Sequence, residues 1–293
     1  HRDLHSFPTR RSSDLPLVLL SLCNEVLRER TFAEQCRMAA ALGYGGLEIA
    51  PFTLCDDPST LREEQAHEWR HVAADHGLAV TGLHWLLIAP EGLSITTDDA
   101  HVRRRTVDLL LRLVDVCAAM GGTVLVHGSP RQRLLAQATS PEAARANARE
   151  CLRHAAERAA AAGLTYCLEP LSDDQTDYVN TIAEAVAEIE TVGSQGLATM
   201  IDTSSASLAE KEDIADLVRR WWPGGHMAHV QVNDRNRRAP GQGDDRFAAF
   251  FAALREVDYQ GPVAVEPFVY EPDGPTTAAF AAGYLRGLLE TAS

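Results

Sequence analysis

The feature that most constrains the fold is a rhythm. From Leu17 onward, short apolar runs alternate with longer helical patterns eight times. The runs are LVLLSLC (17–23), GLEIAPF (46–52), LAVTGLHWLL (78–87), TVLVHGSP (123–130), LTYCLEP (164–170), LATMIDTS (197–204), MAHVQVND (227–234) and PVAVEPF (262–268). They are nearly continuous in apolar residues instead of alternating, as in strands covered on both faces of a parallel sheet. Between them the spacing predicts helices over 32–43, 59–76, 99–120, 141–162, 181–192, 209–222 and 245–257, with a last one over 275–291. Their ends carry physical signals. Ser140 stands before Pro141 as an N-cap with proline in the first turn, and Gly43, Gly121 and Gly193 close helical stretches. Eight strand-then-helix units fit an α/β chain folded as a single (β/α)8 TIM barrel over residues 16–293. An open doubly wound sheet normally carries a Gly-rich phosphate loop after its first strand, and SLCNEVLRER (21–30) has no glycine.

Residues 1–15 stand outside this rhythm. HRDLHSFPTRRSSDL is basic, lacks the apolar core of a signal peptide and has neither helical nor strand periodicity. Back-translated, it resembles a sequencing adapter. The expectation is a non-native N-terminal artefact preceding the barrel.

Charge narrows the partners. A formal net charge of -14 repels phosphate backbones and anionic membrane surfaces, so neither nucleic acid nor membrane is an expected partner. No apolar run reaches the roughly 18 residues of a membrane span. The six cysteines form no C-x-x-C pair and read as buried, reduced thiols of a cytoplasmic protein. The single lysine, Lys211, lies in a polar segment away from any strand end, which removes a Schiff-base mechanism.

Metal-competent side chains recur where the strands of such a barrel end. Glu48, His84, His127, Glu169, Asp202 and Glu266 close runs two, three, four, five, six and eight, and His229 and Gln231 lie on run seven. An apolar strand closing on a carboxylate is costly unless a partner or a cation compensates. Glu169, Asp202 and Glu266 with one neutral donor make a mostly oxygen site, suited to Mn2+ or Mg2+. His229 and Gln231 are two apart and point the same way, so either is a candidate for the fourth position.

LEPL (168–171), IDTS (201–204), HVQVNDRNRRAPGQGDDRF (229–247) and AVEPF (264–268) resemble the xylose-isomerase-like TIM barrel superfamily of sugar phosphate isomerases and epimerases, over essentially all of 16–293. The nearest branches are the ketose 3-epimerases and hydroxypyruvate isomerase. The resemblance implies metal ligation by Glu169, Asp202, Gln231 and Glu266. Ketose epimerases usually have histidine in the third place, within H-x-H. Glutamine there resembles the hydroxypyruvate isomerase and 3-dehydroshikimate dehydratase branches. The epimerases' histidine three residues after the strand-six aspartate is Ser205 here, and their glutamate six residues after the first ligand is Gln175, whereas their arginine is retained as Arg237.

The activity implied is isomerisation or epimerisation of a small sugar, sugar phosphate or hydroxy-keto acid, by proton transfer through an enediolate that the cation stabilises. Glu169 and Glu266 are the expected acid–base pair, with Glu48, His84, His127, His229 and Arg237 as candidate substrate-binding groups. The alternative is a lyase of the dehydroshikimate dehydratase type. An abasic-site endonuclease shares the barrel, but a histidine-rich site and a basic groove are expected of it, and the net charge of -14 and the carboxylate-rich single site argue against it. Related barrels are often dimers or tetramers, so a homo-oligomer is expected by resemblance.

Overall fold

The computed structural model describes residues 18–291; the N-terminal segment expected to be non-native lies outside them. Eight parallel strands close into one barrel in sequence order. They are β1 (Leu20–Cys23), β2 (Gly46–Ile49), β3 (Ala79–Leu83), β4 (Val124–His127), β5 (Thr165–Leu168), β6 (Leu197–Asp202), β7 (Met227–Val232) and β8 (Val263–Val265). Closure is made by β1 beside β8, with Ser21 level with Ala264 and Leu22 level with Val265. The open doubly wound alternative is thereby excluded.

Outside the strands lie α1 (Phe32–Leu42), α2 (Glu63–Asp75), α3 (Ala100–Met120), α4 (Pro141–Ala161), α5 (Ile182–Val192), α6 (Thr203–Ala209), α7 (Ile214–Trp221), α8 (Phe247–Glu256) and α9 (Gly274–Thr291). The caps follow the local sequence. Thr31 and Glu34 form a reciprocal capping box on α1, and Ser140 Oγ accepts the Ala143 amide at 3.1 Å ahead of Pro141 on α4. Gly43, Gly121 and Gly193 adopt the left-handed conformation that ends α1, α3 and α5. Leu22, Leu47, Leu83, Leu125, Leu168, Val230 and Val265 are fully buried, so the core is continuous around the ring.

The expected elements are all present, with altered limits. The strands stop short of the apolar runs, and for two of them the reason is written in the sequence. Glu169 and Glu266 each precede a proline. Their amides still donate to the neighbouring strand, to His127 O at 3.3 Å and Val232 O at 3.1 Å, but Pro170 and Pro267 have no N–H to continue the ladder. Both glutamates are thus the last laddered residues of their strands, at the rim. The helix expected over 209–222 begins only at Ile214, because β6 runs straight into the short α6. The helix expected from residue 59 begins at Glu63, after a 3-10 turn over Pro58–Thr60.

Candidate metal centre

The carboxyl ends of the strands bring Glu169, Asp202 and Glu266 together. One carboxylate oxygen of each lies within 4.8 Å of the others, although the residues are far apart in the chain. All three are buried, at 5%, 2% and 2% exposure. Room for Glu169 is made by Gly128 on the neighbouring strand end, where a Cβ would sit 1.8 Å from Glu169 Oε2.

Each donor is prepared by a different local device. Asp202 both ends β6 and caps α6: its Oδ1 accepts the Ser205 amide at 2.8 Å, and its Oδ2 is left without a partner. Gln231 is level with Asp202 in the ladder. Its amide nitrogen donates to Glu48 Oε1 at 2.6 Å, which leaves Gln231 Oε1 buried and unpartnered. Glu266 Oε1 is clamped by His84 Nδ1 at 2.8 Å and by the Trp85 indole N–H at 2.7 Å, and Glu266 Oε2 is likewise unpartnered. Three buried oxygens without donors on adjacent strand ends are costly alone.

These residues fit a divalent cation. Without one, burial pushes the Glu169 carboxyl well up, and the charges of Glu266 and Asp202 push it further. Burial also raises Asp202 against the hydrogen bonds from Ser205, and Glu266 against the contact with His84. An all-oxygen donor set of three carboxylates and one amide suits a hard cation.

The other expected site residues are placed as follows. Glu48, fully buried, holds Gln231 through one oxygen and faces His229 through the other. Burial works against its charge, but His229 and His84 outweigh burial and keep the carboxyl below its ordinary range. His127 is fully buried and its Nδ1 is 2.6 Å from the Tyr166 hydroxyl. Burial, with the charge of Arg133, pushes it down to about 3, so the ring is neutral. Each of Glu48, His127 and His229 lies against a protein partner and also keeps one buried atom, Oε2, Nε2 and Nε2 respectively, without a hydrogen bond. His84 is held between two acids, 2.8 Å from Glu266 and 3.0 Å from Glu25. Burial opposes its charge, but those carboxylates hold the ring well above its ordinary range. Arg237 stands apart on the loop after β7, part-exposed at positive φ, with its guanidinium 2.5 Å from Asp174 and 3.4 Å from Ser172 Oγ. Ser172 in turn donates to Gln175 at 2.8 Å, and Ser205 Oγ lies 3.4 Å from the same Gln175 oxygen. Gln175, Ser205 and Arg237 therefore form one polar patch on the rim.

Four residues went unmarked in the sequence. Arg133 is fully buried and donates to the Glu169 carbonyl at 2.8 Å and the His127 carbonyl at 3.4 Å. Burial lowers it to about 10, with Glu169 opposing, so it stays charged. Asn233 ties three strand ends: its amide donates to the Glu266 carbonyl at 2.8 Å, and its Oδ1 accepts the Ser204 amide at 2.9 Å beside Thr203. Glu25 and Trp85 complete the set. Glu25 had a signal, a lone acid just past the first apolar run at the barrel's carboxyl end.

The chain matches the family described as xylose isomerase-like TIM barrel over residues 36–288. It is similar to a D-psicose 3-epimerase of Enterocloster bolteae, 30% identical across 79% of this chain and 75% of the relative. It is also similar to a ketose 3-epimerase of Arthrobacter globiformis, 28% identical across 78% and 76%. Among solved structures, a D-psicose 3-epimerase crystallised in the presence of D-fructose superposes with TM-score 0.77 at 21% identity, covering 92% of this chain and 99% of that one. A 3-keto-D-glucoside 4-epimerase from E. coli superposes with TM-score 0.78 at 23% identity, with the same coverage.

Proposed function

The chain belongs to the xylose isomerase-like TIM barrel family, and from that membership we propose that it is a divalent-cation-dependent 3-epimerase of a ketose sugar. It is an enzyme acting on sugars; relatives named as ketose epimerases align over most of its length. The observation that carries the finer reading is the buried carboxylate group, Glu169, Asp202 and Glu266 within 4.8 Å, with the Gln231 amide oxygen free beside Asp202. Those four residues would hold Mn2+ or Mg2+. A bound cation supplies Lewis acidity toward a carbonyl oxygen and its neighbouring hydroxyl.

The protein's own groups account for the rest. Glu169 and Glu266 rise from β5 and β8, three strand positions apart around the ring, and flank the space above the barrel. One takes the proton from the carbon next to the carbonyl and the other returns one to the opposite face. Glu48 and His229 hold the Gln231 oxygen in place from below, and His84 with Trp85 does so for Glu266. Gln175, Ser205 and Arg237 are the groups assigned to substrate hydroxyls, so the departures from the epimerase pattern bear on which ketose is preferred. Proton NMR in D2O tests this with D-psicose, D-fructose, D-tagatose and L-ribulose in the presence of Mg2+. Deuterium at C-3 with appearance of the 3-epimer is expected for at least one of them. No exchange with any, in protein that binds the cation stoichiometrically, overturns the reading.

A further inference from the structure

We propose that Glu25 is a positioning residue that acts through His84 to fix the carboxylate of Glu266. The epimerase reading enters only through what Glu266 does there; the contacts stand on their own geometry. Glu25 lies in the single 3-10 turn Asn24–Leu27 that follows β1 and is 6% exposed. A buried carboxylate is destabilising unless something faces it. Its Oε2 is 3.0 Å from His84 Nε2, a close contact outside ordinary hydrogen-bond geometry, and neither of its oxygens has a hydrogen-bond partner among the described residues.

His84 is fully buried, and its other nitrogen lies 2.8 Å from Glu266 Oε1. The next residue, Trp85, donates its indole N–H to that same oxygen at 2.7 Å. Trp85 holds a left-handed backbone, φ 52, and its ring lies between Phe52 and Phe268 at centroid distances of 6.4 and 5.8 Å. A strained non-glycine residue held by its neighbours is a mark of a pre-organised site. The result is one-sided. Glu266 Oε1 is engaged by His84 and Trp85, and Oε2 is left without a hydrogen-bond partner.

Cys23, Glu25, His84 and Glu266 also gather within 4.8 Å, a group that invites a second cation. His84 argues against it. Its ring nitrogens lie 3.0 Å from Glu25 Oε2 and 2.8 Å from Glu266 Oε1, so no ion fits directly between the ring and either acid. The ring is a connector between two acids, and Glu25 sets its angle.

The test is Mn2+ calorimetry and turnover of the full chain carrying Glu25→Met, which matches the size of the side chain and removes the acceptor. Positioning predicts that Mn2+ affinity or kcat falls about 10–100-fold. KM holds. Glu25→Gln, which keeps a carbonyl acceptor, recovers part of the loss. In a His84→Asn background neither change has a further effect. Wild-type affinity and kcat in Glu25→Met overturn the proposal, and so does a loss that persists undiminished in His84→Asn. Should Glu25→Met not fold, the same cycle is run with Glu25→Gln: a loss confined to the His84 background supports positioning, and an equal loss or none in both overturns it. If the wild type binds Mn2+ but epimerises no ketose, the epimerase reading falls while the calorimetric cycle still decides the role of Glu25.

Discussion

At the scale of single residues, the site works by dividing the oxygens of each acid. Asp202 spends Oδ1 on the α6 cap, Glu266 spends Oε1 on His84 and Trp85, and the second oxygen of each has no hydrogen-bond partner. Glu169→Gln and Glu266→Gln are each expected to lower turnover by at least about 100-fold, the contribution of a positioned acid or base, with circular dichroism unchanged. Normal activity in either purified variant would remove the two-acid mechanism. Gly128→Ala is a quieter test. The new methyl group cannot share space with Glu169 Oε2, 1.8 Å from its ideal position, and the flexible glutamate gives way before the backbone does. The fold is therefore expected to survive, while Mn2+ affinity in calorimetry drops about 10–100-fold. Unchanged affinity would mean that Glu169 has another productive position.

At the scale of elements, the Glu-Pro pairs, the β6–α6 junction and the loop after β7 do the positioning. Asp234, the aspartate of the N-D-x-N stretch, accepts from the amides of Arg235, Gly243 and Asp245 at 3.1, 2.9 and 3.3 Å, so much of that motif shapes a loop. Its neighbour Asn233 stitches the ends of β6, β7 and β8. Asn233→Ala leaves buried partners unsatisfied, each at about 1–3 kcal/mol, and is expected to lower both unfolding free energy and Mn2+ affinity. Urea unfolding with and without Mn2+ reads both; a stability equal to the wild type would show that the stitch is redundant. Ser140→Ala at the α4 cap serves as the contrast, costing about 1 kcal/mol of stability with no change in metal binding.

For the whole molecule, the relevant quantity is the number of protons held by the acids buried at the barrel's mouth. Glu169, Asp202 and Glu266 are raised by burial in the metal-free protein. The sign follows from linkage. A carboxyl whose folded pKa lies above its unfolded value, ~4, gives stability that is full below that value and is lost as pH rises through the folded one. A divalent cation replaces the protons and cancels the loss. The difference in melting temperature between Mn2+-loaded and chelated protein is therefore expected to widen as pH rises from the ordinary carboxylate range toward neutrality. A difference independent of pH would show that the cation does not displace protons at these acids. Among the described residues no helix is long and apolar enough to cross a membrane, and the chain's net charge of -14 remains unfavourable to polyanions.

Much of this was legible in one dimension because the relevant signals are local. Strand and helix periods, proline after Glu169 and Glu266, serine before Pro141 and glycine after α1 act within a few residues, and the eight-fold alternation leaves little choice but a closed barrel. The four oxygen donors were legible for the same reason, as polar endings on apolar runs. Their partners were not. Glu25 meets His84, Arg133 meets the Glu169 carbonyl, Gln231 meets Glu48, and Trp85 meets Glu266 across separations of 36 to 183 residues. Whether a buried acid carries a proton, faces a histidine or turns a free oxygen inward depends on which side chains closure brings within 3 Å, and no local pattern encodes that. The sequence by itself determined the barrel and the kind of atoms at its mouth; only the tertiary structure decided which oxygens are spent on the protein and which are left free.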